Sequence, residues 1–392
     1  MRPAEVSDFW QERLQLYGVA MLFAYFTFLS SAAMLRYWPV GPDGFAVASD
    51  FASFWSAGRL AITGRAAEAY DWATQKAMQV AEIGRDFDGN YPWHNPPHAF
   101  LLVMPFGVPP YLLGWLLWVA AGVAFLAGML RLVLPGYLVP ALLAAPATLW
   151  CAVAGQNGFV TAGLMAGCLA MVERRPWMAG AFLGLLTYKP QFGLLFPLFL
   201  LLERRWTVIA SATLTALALV AASALVFGTA TWLAFLDSVG TTNGVLLRGG
   251  AGWTKLQSLY AIAFRLTGST PVAMTAQLTV MAAAVALLVW FCLRPGTTAL
   301  RAAALVASSC LVTPYVNFYD AVMLTTAAAF LVRDGLDRGF GRFERSLILL
   351  GCALPVAFFL VDSLATPAGA LVLLGTAALR SLRMMSEERG LA

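Results

Sequence analysis

The sequence predicts an all-α integral membrane protein, a bundle of about twelve transmembrane or partial-span helices with interfacial helices in its first outer loop. Three observations carry this. The 392 residues are 60% hydrophobic and only 11% charged, where soluble domains run about 45–50% apolar and about 25% charged. Mean hydropathy is +0.75. The apolar residues fall in long unbroken runs, not in the alternation of an outer-membrane barrel. A soluble globular domain and a disordered chain are both excluded. The net charge of +5 does not point to nucleic acid, because no basic run exceeds a pair. Cys151, Cys168, Cys292, Cys310 and Cys352 all lie in apolar segments, which predicts buried small side chains and neither a disulfide nor a zinc site.

Taken in order, residues 14–35 form the first span. The run is too long for a signal h-region and is read as an uncleaved helix. Residues 36–98 form a first outer segment. There Asp50 precedes Phe51, Phe54, Trp55 and Leu60, an aromatic face suited to a helix in the membrane interface, with Asp50 a good N-cap. A second amphipathic stretch, 66–83, places Glu68, Asp71, Gln75 and Glu82 at polar positions. Tyr91-Pro92-Trp93-His94-Asn95-Pro96-Pro97-His98 then returns the chain to the membrane. Spans follow at 108–130, 137–154 and 158–172, the last two joined by the turn Gly155-Gln156-Asn157.

Residues 177–188 and 192–202 are read as a hairpin with Lys189-Pro190-Gln191 at its outer tip. Proline disfavours helix at the residue before it. A hairpin also puts Glu173-Arg174-Arg175 and Glu203-Arg204-Arg205 on one cytoplasmic face. The remaining spans are 207–227, 272–293, 299–312, 318–332, 346–361 and 366–380, with a second outer segment at 228–270. Several runs are shorter than the ~20 residues a perpendicular span needs, so they read as partial spans covered by protein. With the N-terminus in the cytoplasm, sixteen of the 25 basic residues fall on cytoplasmic segments. Eight of the other nine fall in the two long outer segments, where charge bias is weaker. The expectation is one membrane domain over residues 1–392, multi-pass in a bacterial plasma (inner) membrane.

The unusual polar residues gather on the outer side. Each has a plain reading: Asp50 as a helix cap, Lys189 as an interfacial snorkeller, Gln156 and Asn157 as a turn, Asp320 as a charge at a helix start. His94 and His98 are separated by prolines and have no third ligand nearby, so no metal site is expected. Together, an acid, a cation, amides and aromatics at one boundary of one leaflet suit sugar transfer from a phosphorylated lipid. A carboxylate takes the acceptor proton. A cation or amide donors stabilise the leaving phosphate. Neither a Walker sequence nor a dinucleotide glycine motif is present, and no cofactor is expected.

These residues resemble a known family. Asp50-Phe51-x-x-Phe54-Trp55-x-Ala57-Gly58, followed by Gly64 and Tyr70-Asp71, is similar to the first outer loop of glycosyltransferase family 87. Asn95-Pro96-Pro97 resembles that family's Tyr-Pro-Pro, with Asn in place of Tyr. Gly155-Gln156-Asn157 and Lys189-Pro190-Gln191, the latter ahead of Glu203-Arg204-Arg205-Trp206, resemble its later motifs, in order over about residues 45–330. The resemblance implies a GT-C fold and an inverting transferase that uses a polyprenyl-phosphate sugar, with mannose expected. It maps the family's catalytic aspartate onto Asp50. The family member that elongates phosphatidylinositol mannosides has a functional histidine later in its chain; here the late motif holds Asn317, Tyr319 and Asp320 and no histidine.

On this reading Asp50 is the general base, and Lys189, Arg248 and Lys255 meet the donor phosphate. Gln156, Asn157, Gln191, Tyr319 and Asp320 bind substrate. The partners are a polyprenyl-phosphate sugar donor, a lipid or glycan acceptor, and membrane lipids. The alternative is a membrane transporter or flippase of a lipid-linked or sugar substrate, which would place its site near the midplane with internal repeats. A non-catalytic membrane assembly protein is a third reading.

Overall fold

The computed structural model describes residues 3–250, 252–253 and 255–388. The chain is 77% helical, and its described residues form two isolated β-bridges and no strand. In chain order the helices are α1 (Pro3–Met34), α2 (Phe51–Ile62), α3 (Trp72–Ile83), α4 (Phe100–Gly107), α5 (Tyr111–Leu130), α6 (Val139–Leu143), α7 (Pro146–Ala154) and α8 (Gly158–Met171). They continue with α9 (Pro176–Leu185), α10 (Phe196–Leu202), α11 (Trp206–Phe227), α12 (Thr229–Leu247), α13 (Leu259–Thr267) and α14 (Thr270–Leu293). The last five are α15 (Thr298–Ser309), α16 (Met323–Arg338), α17 (Glu344–Ala353), α18 (Phe358–Val361) and α19 (Ala365–Glu388).

Five of these are long and apolar enough to cross a membrane, namely α1, α5, α11, α14 and α19. The pair Gly136–Leu143 and Pro146–Ala154, bent by 67°, makes a sixth if taken as one broken span. Of the expected twelve or so transmembrane or partial-span helices, only these have full-span length among the described residues. The run at 158–172 is packed inside the protein, that at 192–202 buries one face, and the helices at both are too short to reach across lipid. Pro146 stands at the first position of α7, where a proline is tolerated, and it ends the helical run from α6.

The hairpin at Lys189 is present. α9 ends in a 3₁₀ turn over Leu186–Tyr188, and a second turn over Pro190–Phe192 starts the return toward α10. Arg205 Nη2, after α10, stands 3.0 Å from Glu173, before α9. One continuous span would have put these groups on opposite faces. Small residues let α9 settle on α11: a Cβ at Gly180 would lie 2.4 Å from Ser211 Cβ, and one at Gly184 2.5 Å from Thr215 Cβ. Arg301–Glu203 at 2.7 Å and Arg380–Asp334 at 2.6 Å hold the same end of the bundle.

The first long segment differs from its expected form. The aromatic face of α2 turns inward: Phe51, Phe54, Trp55 and Leu60 are all buried, and Trp55 Nε1 donates to Pro109 O at 2.9 Å. Gln75, placed on a polar outer face by the sequence, is buried and hydrogen-bonded to the Ser56 hydroxyl. Only Asp71 behaves as a cap, accepting from Thr74 N at 2.8 Å at the start of α3. The 228–270 segment is largely helical. It holds α12 and α13, with Ser258 capping the latter.

Candidate active site

Two glycines set the local geometry. After α7 the chain turns at Gly155, whose φ of +65° disfavours any side chain. A Cβ there would also lie 2.5 Å from Phe51 Cβ, and one at Gly158 would lie 2.5 Å from Tyr319 O. The Gln156-Asn157 turn is therefore pressed between the start of α2 and the turn after α15. Gln156 Nε2 donates to Asp50 Oδ2 at 3.2 Å. The other Asp50 oxygen faces Lys255 Nζ at 3.0 Å. Asp50 itself makes no side-chain cap bond to α2, so the plain capping reading is set aside.

Lys255 lies far away in sequence but is fixed to the same turn. Phe318 N donates to Lys255 O at 3.0 Å, Gln257 N donates to Val316 O at 2.7 Å, and Leu256 bridges Asn317. Beyond it, Lys189 Nζ stands 2.8 Å from Asp320 Oδ1, while Asn317 N donates to Asp320 Oδ2 at 3.0 Å. Lys189 Nζ also stands 5.4 Å from the Tyr319 ring centre. The two ion pairs differ in surroundings. Asp320 and Lys189 side chains are 1% and 11% exposed, Asp50 and Lys255 13% and 39%. Removing one partner of a buried pair costs about 3–5 kcal/mol. An exposed pair contributes about 0–1 kcal/mol.

These groups surround a cavity of about 710 Å³. Asp50, Gln156, Asn157, Lys189, Gln191, Lys255 and Tyr319 line it, and Asn157 Oδ1 is buried without a partner among the described residues. Residues 93–314, more than half of the chain, match the model of glycosyltransferase family 87. The chain belongs to glycosyltransferase family 87. Placement in the GT-C superfamily is consistent with this. No curated protein and no solved structure matches the chain. A member of family 87 transfers a sugar from a donor to an acceptor, so the transporter reading gives way to an enzyme. The match takes in Gln156, Asn157, Lys189, Gln191, Arg248 and Lys255, while Asp50, Tyr319 and Asp320 lie outside its bounds.

Two expected site residues of this family 87 chain stand elsewhere. Arg248 is exposed and does not line the cavity. It follows α12, whose inward face puts Ser238 and Thr242 at the wall instead. Asp320 is wholly buried behind Lys189, so it touches the lysine and not the cavity. Neither histidine joins a metal-ligating group of three among the described residues. His94 Nδ1 pairs with Thr242 Oγ1 at 3.1 Å, and burial pushes the ring down to about 4, so it stays neutral at ordinary pH.

The segment that returns the chain to the bundle also lines the cavity, through Asn90, Tyr91, Pro92, His94 and Asn95. Its carbonyls are held from beneath. Gln79 Nε2 donates to Tyr91 O, Ser53 Oγ to Pro92 O and Tyr70 OH to Asn95 O, each at 2.8 Å. Lys76 Nζ donates to Gly89 O at 2.9 Å. Sequence reasoning missed these supports. A signal existed, since Gln75 and Gln79 stand four apart and so share one helix face.

Proposed function

We propose that this glycosyltransferase moves a sugar, mannose, from a polyprenyl-phosphate donor to a lipid or glycan acceptor, with inversion. The site faces the extracytoplasmic side of the plasma membrane. One observation carries the reading: Asp50, free of any capping duty, presents its carboxylate at the cavity wall between an amide and a lysine.

The acceptor hydroxyl attacks the anomeric carbon on the face away from the phosphate. Its proton passes to Asp50 as the new C–O bond forms. The bond from carbon to phosphate oxygen breaks with its electron pair on the phosphate. Lys255, with Lys189 further along the wall, offsets that charge. Gln156 holds the carboxylate in place, and Asn157, Gln191 and Tyr319 offer hydrogen bonds and an aromatic face to the sugar. Asp320 acts through Lys189, which it anchors.

The test supplies purified protein with radiolabelled polyprenyl-phosphate mannose and a panel of acceptor lipids. Wild type should yield a labelled, lipid-linked product. Asp50→Asn keeps the size of the side chain and loses the base, so turnover should fall about 10²–10⁴-fold. Transfer from a nucleotide sugar, with none from any polyprenyl-phosphate sugar, would overturn the donor class. Near-normal turnover by Asp50→Asn would remove Asp50 as the base.

A further inference from the structure

The site holds two lysines and pairs each with a carboxylate, and these pairs are not equivalent. Asp320 is wholly buried, and its second oxygen is taken by Asn317 N. Breaking Asp320 from Lys189 would strand a charge in the interior, so this pair stays shut during turnover. Asp50 and Lys255 meet at the cavity wall, where Lys255 is more than a third exposed and stays hydrated on leaving, while Asp50 keeps the Gln156 amide, so separating them costs less than opening the buried pair. An incoming phosphodiester adds one negative charge to a site whose lysines are already neutralised. Of the two lysines, Lys255 leaves its partner at the lower cost.

We infer that Lys255 is an exchangeable counter-ion: it neutralises Asp50 in the empty site, and the donor's phosphate takes it over, so that donor binding is the event that frees the base. This rests on the polyprenyl-phosphate reading above. The exchange needs a side-chain rotation and no loop movement. The Lys255 backbone is tied to residues 316–318 by the bridge and the hydrogen bonds on either side of it, while its four-carbon stem remains free to turn. Tyr91 offers an aromatic face along the way, its ring centre 5.8 Å from Lys255 Nζ. Once Lys255 has turned, Asp50 retains the Gln156 amide and an unpaired carboxylate oxygen for the acceptor. Lys255 thus couples two substrates: an acceptor that arrives first meets a carboxylate already engaged, and one that arrives after the donor meets a base.

A double-mutant cycle tests this, with binding as its readout. The Kd of polyprenyl phosphate, which lacks the sugar, is measured on the purified full chain in nanodiscs for wild type, Asp50→Asn, Lys255→Gln and the double variant. Lys255→Gln should weaken binding about 10-fold or more, as expected for a charged hydrogen bond to phosphate. Asp50→Asn should tighten it in the wild-type background by relieving competition for Lys255 and by removing a like charge. In the Lys255→Gln background only the second effect survives, so the gain there should be smaller by about 2- to 5-fold. Equal gains in both backgrounds would overturn the exchange, as would weaker binding by Asp50→Asn. Asp50→Ala gives the same comparison should the Asn variant fold poorly. Polyprenyl-phosphate mannose is run alongside. If neither probe binds wild type, the inference and the donor class fall together. If both bind with equal gains, the inference falls and the donor class stands.

Discussion

Asp50 and Asp320 share a chemistry and differ in surroundings, and substitution should separate them. Asp320→Asn leaves Lys189 buried without its counter-charge, at an expected cost of about 3–5 kcal/mol in stability. Thermal unfolding in detergent would show it, and an unchanged midpoint would contradict the buried pair. His94 gives a pH signature. Its folded-state value of about 4 lies below the ordinary 6.5, so the unfolded chain takes up the proton first as pH falls. Stability is then intact above about pH 6.5, drops as pH falls, and is lost progressively toward pH 4. At pH 5 the loss is about 2 kcal/mol. His94→Gln should remove that part of the acid sensitivity, read as a smaller change in unfolding midpoint between pH 7.5 and 5. Asp50, Gln156, Asn157, Lys189 and Gln191 were legible because each is a polar interruption in an apolar chain. Arg248 misled for the same reason: its charge stands out in the sequence, but the helix before it carries it away from the cavity.

At the scale of elements, α2 and α4 cross at a point built from two glycines. A Cβ at Gly58 would lie 2.7 Å from Val103 O, and one at Gly107 2.6 Å from Arg59 N. Both obstacles are backbone, which cannot rotate aside. Gly58→Ala should therefore cost about 1–3 kcal/mol, and it should also reduce transfer because α2 begins just after Asp50, the proposed base. A variant with wild-type stability would show that the helices can part without penalty. The bounds of α5, α11 and α14 were legible to within three residues, since lipid-facing runs announce themselves, whereas α1 begins well before its predicted run and α19 continues well past its own, each through charged residues. The helices of 228–270 were not, nor was the inward turn of α2. Apolarity says that a face is covered, and here the cover for Phe51, Phe54 and Trp55 is protein from distant segments instead of lipid. Lys255, of the 228–270 segment, reaches the site through a bridge between residues 256 and 317, a pairing that no local pattern encodes.

For the whole molecule, α8 carries the chain about 20 Å from the Gln156-Asn157 turn to Glu173. The site and the Arg205, Arg301 and Arg380 ion pairs thus lie at opposite ends. Asp88, exposed at the cavity rim, should react as Asp88→Cys with an impermeant thiol reagent applied to intact cells. Arg338→Cys, exposed at the far end, should react only in inverted vesicles. The reverse pattern would invert the proposed topology. The native cysteines are buried or half-buried and should leave the background low. The pairing of both lysines has a last consequence, for how the donor arrives. With Asp88 at the rim, and each lysine already set against an aspartate, the cavity has no surplus of positive charge. Its lining offers no net positive charge to draw in an anion. For the proposed polyprenyl-phosphate donor, capture is then left to lateral diffusion and to its apolar tail, and salt has little to screen. Initial rates at limiting donor should change by less than about two-fold between 50 and 500 mM salt, whereas an electrostatic funnel would lose most of its rate over that range.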